Sequence, residues 1–226
     1  GSSANVTTAA DCYVGGLIGL FDAGGYIDHV SNHGSVTSNT EDFGNSYAGG
    51  LVGKAVSAQE SLDISDGYNT GSVQAMAGNL FCDSSYAGGI SGSFEGNVDR
   101  TYVSGTVNAK ASSYVGGNAY AGGVCGVNGD ASSIQNSAIV QPNVSAAGDG
   151  SSAVCRISNG NGNKRNNITI SQVVSGSNND ADYVKSLDEM KTSVPYTDIL
   201  QWDFKNTWEL VDGNDFPQLK QIHIDD

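Results

Sequence analysis

The sequence predicts an all-β protein, a right-handed parallel β-helix (β-solenoid) of about five coils with a small C-terminal cap that contains one short helix. First, a glycine-rich phrase occurs four times, and its leading tyrosines are separated by 34, 39 and 34 residues, a period typical of solenoids. Second, each repeat holds about three short segments in which apolar and polar residues alternate, as in strands with one buried face. Third, the 31 glycines and 3 prolines suit strands joined by tight turns.

The glycine-rich phrase reads YVGGLIG at 13–19, YAGGLVG at 47–53, YAGGISG at 86–92 and YAGGVCG at 120–126. Its two adjacent glycines predict a sharp bend, where a Cβ would clash with the next coil about 4.8 Å away or the backbone needs a positive φ. The fifth residue is always aliphatic and is predicted to point into the core (Leu17, Leu51, Ile90, Val124). The sixth admits polar residues and is predicted to point elsewhere (Ile18, Val52, Ser91, Cys125).

A second phrase follows the first three copies and fixes the alignment between repeats; it reads IDHVSNHGSV (27–36), ISDGYNTGSV (64–73) and VDRTYVSGTV (98–107). The fourth copy of this phrase is one residue longer. A shift of 30 residues predicts a fifth, degenerate repeat with its glycine phrase at 150–156, because it lays Cys125 on Cys155, Val140 on Ile170 and Val144 on Val174. The repeats are therefore predicted to occupy residues 1–177.

The two phrases together resemble the GLUG motif, named for Gly-Leu-aliphatic-Gly, because YAGGLVG is followed about twenty residues later by NTGSV. ILQWDFKNTWELVDGNDFPQL at 199–219 resembles the ending of GLUG arrays, so the resemblance covers residues 10–219. It implies an exported bacterial protein, as in adhesin-like proteins and some immunoglobulin A peptidases, and a β-helix-like array. It implies no activity, since the motif residues are structural: Gly15, Gly16, Leu17, Gly19, Gly49, Gly50, Leu51, Gly53, Gly88, Gly89, Ile90, Gly92, Gly122, Gly123, Val124 and Gly126.

The composition changes near residue 178, and residues 178–226 are predicted to cap the open end of the solenoid, which otherwise exposes a sheet edge. Ser186 and Glu189 have the spacing of a capping box. Leu187, Met190 and Val194 would share one face of a helix that ends before Pro195. Both tryptophans lie in this segment. An independent interaction module is the alternative interpretation.

The net charge of −14 and the pI near 4.3 argue against nucleic acid and anionic membrane surfaces as partners, because phosphate groups would be repelled. No apolar run reaches the roughly 18–20 residues that a membrane-spanning helix needs, so we expect no membrane insertion. No His-Glu-x-x-His, Walker or nucleophile-elbow motif is present. His29 and His33 are four residues apart, but their segment is predicted to be a strand and a turn, so we expect neither a metal site nor a cofactor.

Alignment of the second phrase stacks polar residues at two adjacent positions: Asp28, Ser65 and Asp99 at one, and His29, Asp66 and Arg100 at the next. One hypothesis is a solvated polar ladder on the surface. The other is a catalytic carboxylate pair, since two coils would separate Asp28 from Asp99 by roughly 9–10 Å, near the upper limit for an inverting glycosidase. We favour the ladder, because adjacent residues of a strand face opposite ways and would not line one cleft.

Four cysteines without a Cys-x-x-Cys pair argue against a zinc ribbon or a thioredoxin-type site and leave the cellular compartment open. The 30-residue shift places Cys125 and Cys155 about 4.8 Å apart in neighbouring coils, within the Cα range of a disulfide. Parallel side chains would strain that bond, so a disulfide and two stacked thiols both stay open. An oxidising exterior favours the disulfide. No bond is expected between Cys12 and Cys82.

Three functions are compatible with these features. The favoured one is a non-enzymatic, secreted or cell-surface bacterial module with an adhesive or spacer role; its partner would be a host protein or a glycan, and the chain is expected to be a monomer. The second is a carbohydrate-active enzyme that uses Asp28 and Asp99. The third is the accessory array of a larger secreted peptidase, because NVTTAA at 5–10 resembles the end of a repeat.

Overall fold

The chain folds into a β-solenoid of stacked parallel strands. The computed structural model describes residues 3–56, 62–79, 81–114, 116–140, 143–171, 178–211 and 216–221, without the side chains of 79 and 81–83. Four parallel sheets run along the solenoid. Sheets 1 to 3 contain five stacked strands each, so the chain makes about four turns between the first and the fifth strand of a sheet. The described residues contain very little helix, and the predicted all-β parallel fold is confirmed.

The sheets are numbered in the order in which the chain first enters them. Sheet 1 consists of Ala4–Thr8, Val36–Thr40, Val73–Asn79, Val107–Ser113 and Val144–Gly148. Sheet 2 consists of Cys12–Gly15, Phe43–Gly49, Phe81–Gly88, Asn118–Gly122 and Ser152–Cys155. Sheet 3 consists of Ile18–Phe21, Val52–Ala55, Ser91–Phe94, Cys125–Asn128 and Ser158–Asn159. Sheet 4 consists of Gly25–Asn32, Leu62–Asn69, Gly96–Val103, Ser133–Gln135 with Ala138–Ile139, Asn163–Arg165 with Ile168–Ile170, and Tyr183–Lys185.

Each of the first three coils contributes four strands, where the sequence predicts about three segments. The additional strand comes from the glycine phrase, which forms a corner rather than a single strand. In the second coil, Phe43–Gly49 of sheet 2 ends at the paired glycines, and Val52–Ala55 of sheet 3 begins after two residues. Copies of the phrase align across coils, as the repeat period predicts, with the leading tyrosines as successive partners (Tyr13, Tyr47, Tyr86, Tyr120).

The corner also decides which residues of the phrase reach the core. The fifth residue is fully buried in three copies, as predicted (Leu51, Ile90, Val124). Leu17 is 49% exposed, against the prediction, because the first coil is covered by a neighbouring coil on one side only. The prediction that the sixth residue points elsewhere is wrong, because the bend interrupts the alternation of a straight strand and turns two successive side chains inwards. The sixth residue is 0% exposed in three copies (Val52, Ser91, Cys125).

Close approach between coils explains the paired glycines. A Cβ on Gly50 would lie 2.7 Å from the Cβ of Asn69 and would overlap the carbonyl oxygen of Gly89, the equivalent glycine of the next coil. The same relation links Gly16 to Gly50 and Gly89 to Gly123. A positive φ is not the reason, because none of the described glycines with positive φ belongs to the phrase. The phrase therefore requires glycine for space.

The leading tyrosines stack on one another along sheet 2. The ring centroids of Tyr13 and Tyr47 are 5.1 Å apart, those of Tyr47 and Tyr86 4.8 Å, and those of Tyr86 and Tyr120 5.2 Å. Each such pair contributes about 0.5–1.5 kcal/mol beyond the burial of area. Because the rings cover one another's faces, this stack holds coils together and offers few ring faces to a ligand.

The fifth coil is present, but its register differs from the predicted shift of 30 residues. In sheets 2 and 3 the shift is 33, since Gly122 pairs with Cys155 and Cys125 with Ser158. A bulge in sheet 3 and a shorter loop then reduce it to 30 in sheet 4, where Ala138 pairs with Ile168. The predicted alignment of Val140 with Ile170 thus holds, whereas the degenerate phrase predicted at 150–156 begins at residue 153. Val174 lies outside the described residues.

The prediction that Cys125 and Cys155 stack on one another is wrong, so neither the disulfide nor the pair of stacked thiols is present. Both thiols are free and buried, and the register places each of them opposite a residue other than cysteine. The thiol of Cys155 donates to Oδ1 of Asn159 at 3.1 Å. Burial raises the pKa of Cys155 to about 11 and raises the pKa of Cys125 as well, so neither thiol is activated as a nucleophile. Cys12 is also free and buried, and the side chain of Cys82 lies outside the described part of the chain.

The first part of the predicted cap covers the edge of the fifth coil. Tyr183–Lys185 pairs with Ile168–Ile170 and adds a further strand to sheet 4. The Asp180 carboxylate accepts hydrogen bonds from the backbone N–H groups of Ile157 and Ser158 at 2.8 and 3.0 Å. These donors would otherwise be left unpaired at a sheet edge. The predicted boundary at residue 177 lies outside the described residues.

Residues 187–211 and 216–219 lie along the outer side of sheet 4 rather than over the end of the solenoid. They begin with the helix Leu187–Met190, continue through the π-helical turn Pro195–Ile199, and include an antiparallel pair formed by Trp208–Glu209 and Gln218–Leu219. The helix is shorter than predicted, and Val194 is 57% exposed. The apolar side chains of this segment form a second core with sheet 4, made of Tyr68, Tyr102, Ala138, Val140, Ile168, Ile170, Met190, Tyr196, Leu200, Trp202 and Trp208.

The predicted capping box at the start of the helix is present. The Ser186 hydroxyl accepts from the Glu189 N–H at 3.2 Å, and the Glu189 carboxylate accepts from the Ser186 N–H at 2.8 Å and from its hydroxyl at 2.9 Å. The bond from the backbone N–H of Ser186 is the main reason why the pKa of Glu189 falls from 4.5 to about 2; the Ser186 hydroxyl and Lys185 add to the effect.

Substitution Ser186→Ala is expected to raise the pKa of Glu189 towards its ordinary value, because the hydroxyl partner is lost and the helix start loosens. Since the folded-state pKa is depressed, the capping contribution to stability is present above about pH 4.5 and is lost as the pH falls towards 2. Titration of the Glu189 carboxyl carbon by NMR measures this change. Thr192→Ala, which removes a bond to the backbone carbonyl of Glu189, is the control. An unchanged Glu189 pKa in Ser186→Ala would contradict the assignment.

Candidate binding site

Sheet 4 bends at one residue in every coil. These residues have φ between 46° and 57°, in the left-handed region that asparagine and aspartate tolerate better than other non-glycine residues (His29, Asp66, Arg100, Asn136, Asn166). The bend interrupts the alternation of the strand. In the third coil both Asp99 and Arg100 remain partly exposed on the outer side, while the following residue, Thr101, is fully buried.

The predicted polar ladder lies in register. Asp28 pairs with Ser65, and Ser65 pairs with Asp99 in the next coil. The hydroxyl of Ser65 donates to Oδ1 of Asp28 at 2.7 Å. The expectation that adjacent positions would not line one cleft is wrong, because the left-handed bend brings both to the outer side. The guanidinium group of Arg100 contacts both Asp66, one coil away, and Asp99, its chain neighbour, so the two columns form one network.

Asp66 is the buried centre of this network, with 6% of its surface exposed. Its carboxylate accepts from Nε and Nη2 of Arg100 at 3.0 and 2.7 Å, and from Nε1 of Trp208 at 2.8 Å. The hydrogen bonds to Asp66 raise the pKa of Arg100 despite the partial burial of the guanidinium group. Nε1 of Trp202 donates to the backbone carbonyl of Asn136 at 2.8 Å. Both tryptophans therefore bind the C-terminal segment to residues at the bends of sheet 4.

The exposed carboxylates of the ladder are also partnered. Burial by itself would raise the pKa of Asp28, but hydrogen bonds with Ser65 and with the His29 ring, at 2.7 Å each, outweigh burial and hold the pKa below its ordinary value. Asp99 accepts from the side-chain amide of Asn136 at 2.8 Å and contacts the guanidinium group of Arg100. A glycosidase needs one carboxylic acid with a raised pKa, and Asp28 has the opposite shift.

An open groove of about 460 Å³ lies on the outer surface of sheet 4, next to the network. Two outward-facing columns and Arg100 line it. Tyr26 stands at the end formed by the first coil and is 85% exposed. The side-chain amide of Asn97 donates to Oδ1 of Asp63 at 2.7 Å. This sheet 4 groove is defined by Tyr26, Asp63, Asn97 and Ser133 in one column, by Ser65, Asp99 and Gln135 in the other, and by Arg100.

The ladder predicted from the sequence accounts for only part of this lining. The column that begins with Tyr26 lies two residues before the ladder in each repeat, so an alignment extended by two positions would have found it. The contact of Trp208 with Asp66 spans 142 residues and carries no local sequence signal. The two histidines have different partners: Nδ1 of His29 is 2.7 Å from Oδ2 of Asp28, and Nδ1 of His33 is 2.8 Å from the hydroxyl of Thr70. Within the described ranges, no group of three or more His, Cys, Asp or Glu residues could hold a metal ion.

Comparison with known proteins supports the fold. No family model and no curated protein matches the chain. Among solved structures, the chain is similar to a Bacteroides ovatus protein provisionally described as an immunoglobulin A1 protease. The TM-score is 0.53 and the identity 19%, over 97% of this chain and 74% of that one. At this identity the likeness shows only that this chain and a bacterial protein share a fold. None of the described helices is long and apolar enough to cross a membrane.

Proposed function

We propose that the chain is a non-enzymatic module of a secreted or cell-surface bacterial protein, of the GLUG repeat type, and that it acts in adhesion. The observation that carries this proposal is the sheet 4 groove. Its polar side chains repeat from coil to coil on a rigid scaffold and are held in place by bonds such as those of Asn97 to Asp63 and of Arg100 to Asp99. A surface that is ordered before binding loses little side-chain entropy when a partner docks.

The state of the carboxylates supports binding rather than hydrolysis. Asp28 and Asp99 lie two coils apart, with Ser65 between them, and each is engaged by neighbouring side chains. An inverting glycosidase requires a protonated acid on one side of the scissile bond and a base that activates water on the other. The depressed pKa of Asp28 leaves that residue ionised at neutral pH, so it is unsuited to the role of the acid.

A spacer role and the accessory array of a larger secreted peptidase are the other roles compatible with this fold. The likeness in fold to the Bacteroides ovatus protein is compatible with the accessory array. Neither role requires a groove with ordered polar side chains, and this feature favours adhesion.

The test is to apply the labelled chain to arrays of glycans and of host extracellular proteins, in parallel with an assay of reducing ends released from polysaccharides. We expect saturable binding on at least one array and no release of reducing ends. Binding to neither array would contradict adhesion and favour the spacer role. Release of reducing ends that is lost in Asp99→Asn would contradict the non-enzymatic proposal.

A further inference from the structure

The geometry points to a specific ligand for the sheet 4 groove: a linear, uncharged glycan that lies across the strands, along the axis of the solenoid. This inference rests on the proposed adhesive function and names the class of its partner. Each coil presents equivalent polar positions about 4.8 Å from those of the next coil, close to the length of one sugar ring in an extended chain. The groove therefore matches a polymer whose hydroxyl groups recur at the same interval.

The groove offers free hydrogen-bonding atoms beside the ones that fix its shape. Asn97 uses its amide nitrogen on Asp63, and Gln135 uses its amide oxygen on the Arg165 guanidinium group at 2.7 and 2.9 Å. Among the described residues, no bond engages the amide oxygen of Asn97, the amide nitrogen of Gln135 or the hydroxyl of Ser133. The groove thus offers free acceptors in the second and third coils, on Asp63 and Asn97, and free donors in the fourth coil, on Ser133 and Gln135. A sugar hydroxyl both donates and accepts, so it can satisfy either kind.

Tyr26 supplies the apolar contact that a sugar ring needs. The side chain is 85% exposed at the first-coil end of the groove, and no partner ring among the described residues covers it. The tyrosines of the glycine phrase differ in this respect, because Tyr13 and Tyr47 stack face to face. An aromatic face packs against the C–H groups of a sugar ring while the hydroxyl tip stays in water. The remaining lining is polar and has no apolar pocket of the kind that peptide side chains fill.

The charge of the groove selects against acidic ligands. Among the described residues that line the groove, Arg100 is the one cation and is already paired with Asp66 and Asp99, while Asp63 keeps one carboxylate oxygen without a described partner. The net charge of the whole chain is −14. Sialylated and sulfated glycans would therefore meet repulsion both in the groove and over the whole surface. Neutral sugars meet neither.

The test starts from arrays of neutral, sialylated and sulfated oligosaccharides and of host extracellular proteins, followed by calorimetric titration of the best neutral oligosaccharide with the chain and four variants. Tyr26→Ala and Asn97→Ala alter the groove. Tyr114→Ala removes a tyrosine that is 90% exposed elsewhere, and Asn108→Ala removes an amide that bonds Ser145 across two coils of sheet 1, so both are matched controls. All four positions are at the surface or partly exposed, and circular dichroism checks that the fold is retained.

We expect neutral oligosaccharides to bind and acidic ones to fail. Tyr26→Ala and Asn97→Ala should each weaken binding about five- to tenfold, as for the loss of one ring contact or one hydrogen bond, with the controls unchanged. Preference for acidic glycans, or equal losses in the control variants, would overturn the inference. Binding to host proteins without any binding to neutral glycans would overturn it while leaving adhesion standing. Binding to neither would overturn both.

Discussion

Gly50→Ala is expected to destabilise the protein by at least about 4 kcal/mol, in the upper tail for a single overpacking substitution. The new methyl group would overlap the carbonyl oxygen of Gly89 and approach the Cβ of Asn69 to 2.7 Å. Backbone on one side and a buried side chain on the other leave it no space. Thermal unfolding measures the effect, and a loss of roughly 10 °C in Tm is expected for a domain of this size.

Gly78→Ala is the matched control. Gly78 also lies in a strand of the solenoid, but a Cβ built on it meets no atom within 4 Å. The methyl group should be neutral, or stabilise the fold by about 0.5 kcal/mol through a stiffer unfolded chain. Similar melting temperatures for the two variants would contradict the view that the phrase uses glycine because neighbouring coils approach closely.

Arg100→Met is expected to cost about 3 kcal/mol, the lower end of the range for breaking a buried ion pair, because the guanidinium group is partly exposed. Its side chain is 31% exposed, whereas that of Asp66 is 9% exposed. The variant leaves the Asp66 carboxylate buried with the Trp208 N–H as its remaining donor in the network. Urea unfolding followed by tryptophan fluorescence measures the change in the midpoint.

Two further variants make the Arg100 prediction specific. Arg165→Met removes an exposed arginine that bonds Gln135, and it should change stability by no more than about 0.5 kcal/mol. Asp66→Asn combined with Arg100→Met removes the uncompensated charge and should recover part of the loss. If the double variant were less stable than Arg100→Met alone, the buried charge would not be the cause.

Repetition made much of this fold readable from the sequence. Equivalent residues of successive coils must stack, so the alignment of Tyr13 with Tyr47 and of Asp28 with Ser65 and Asp99 follows from the period alone. Within a coil, the direction of each side chain is harder to predict, because the corners interrupt the alternation of inward and outward residues from which that direction is inferred. Val52 is buried beside Leu51 for that reason.

The features that the sequence did not reveal depend on contacts without a local pattern. The fifth coil lacks the paired glycines, and matching Cys125 to Cys155 gave a shift of 30 residues, where the backbone uses 33 in sheets 2 and 3. The C-terminal segment was expected at the open end, yet Trp208 reaches Asp66 in the second coil. Burial of apolar area along the side of sheet 4 decides that position.

The pairing of residues between neighbouring coils defines the solenoid, and NMR couplings through hydrogen bonds measure this pairing directly. The backbone N–H of Leu51 donates to the carbonyl of Ile90, that of Ile90 to Val124, and that of Val124 to Ile157, at 2.8–2.9 Å. The predicted result is a coupling from the amide nitrogen of each donor to the carbonyl carbon of its partner, including Val124 to Ile157. A coupling from Val124 to Val154, or none at all between these corners, would contradict the stacked solenoid described here.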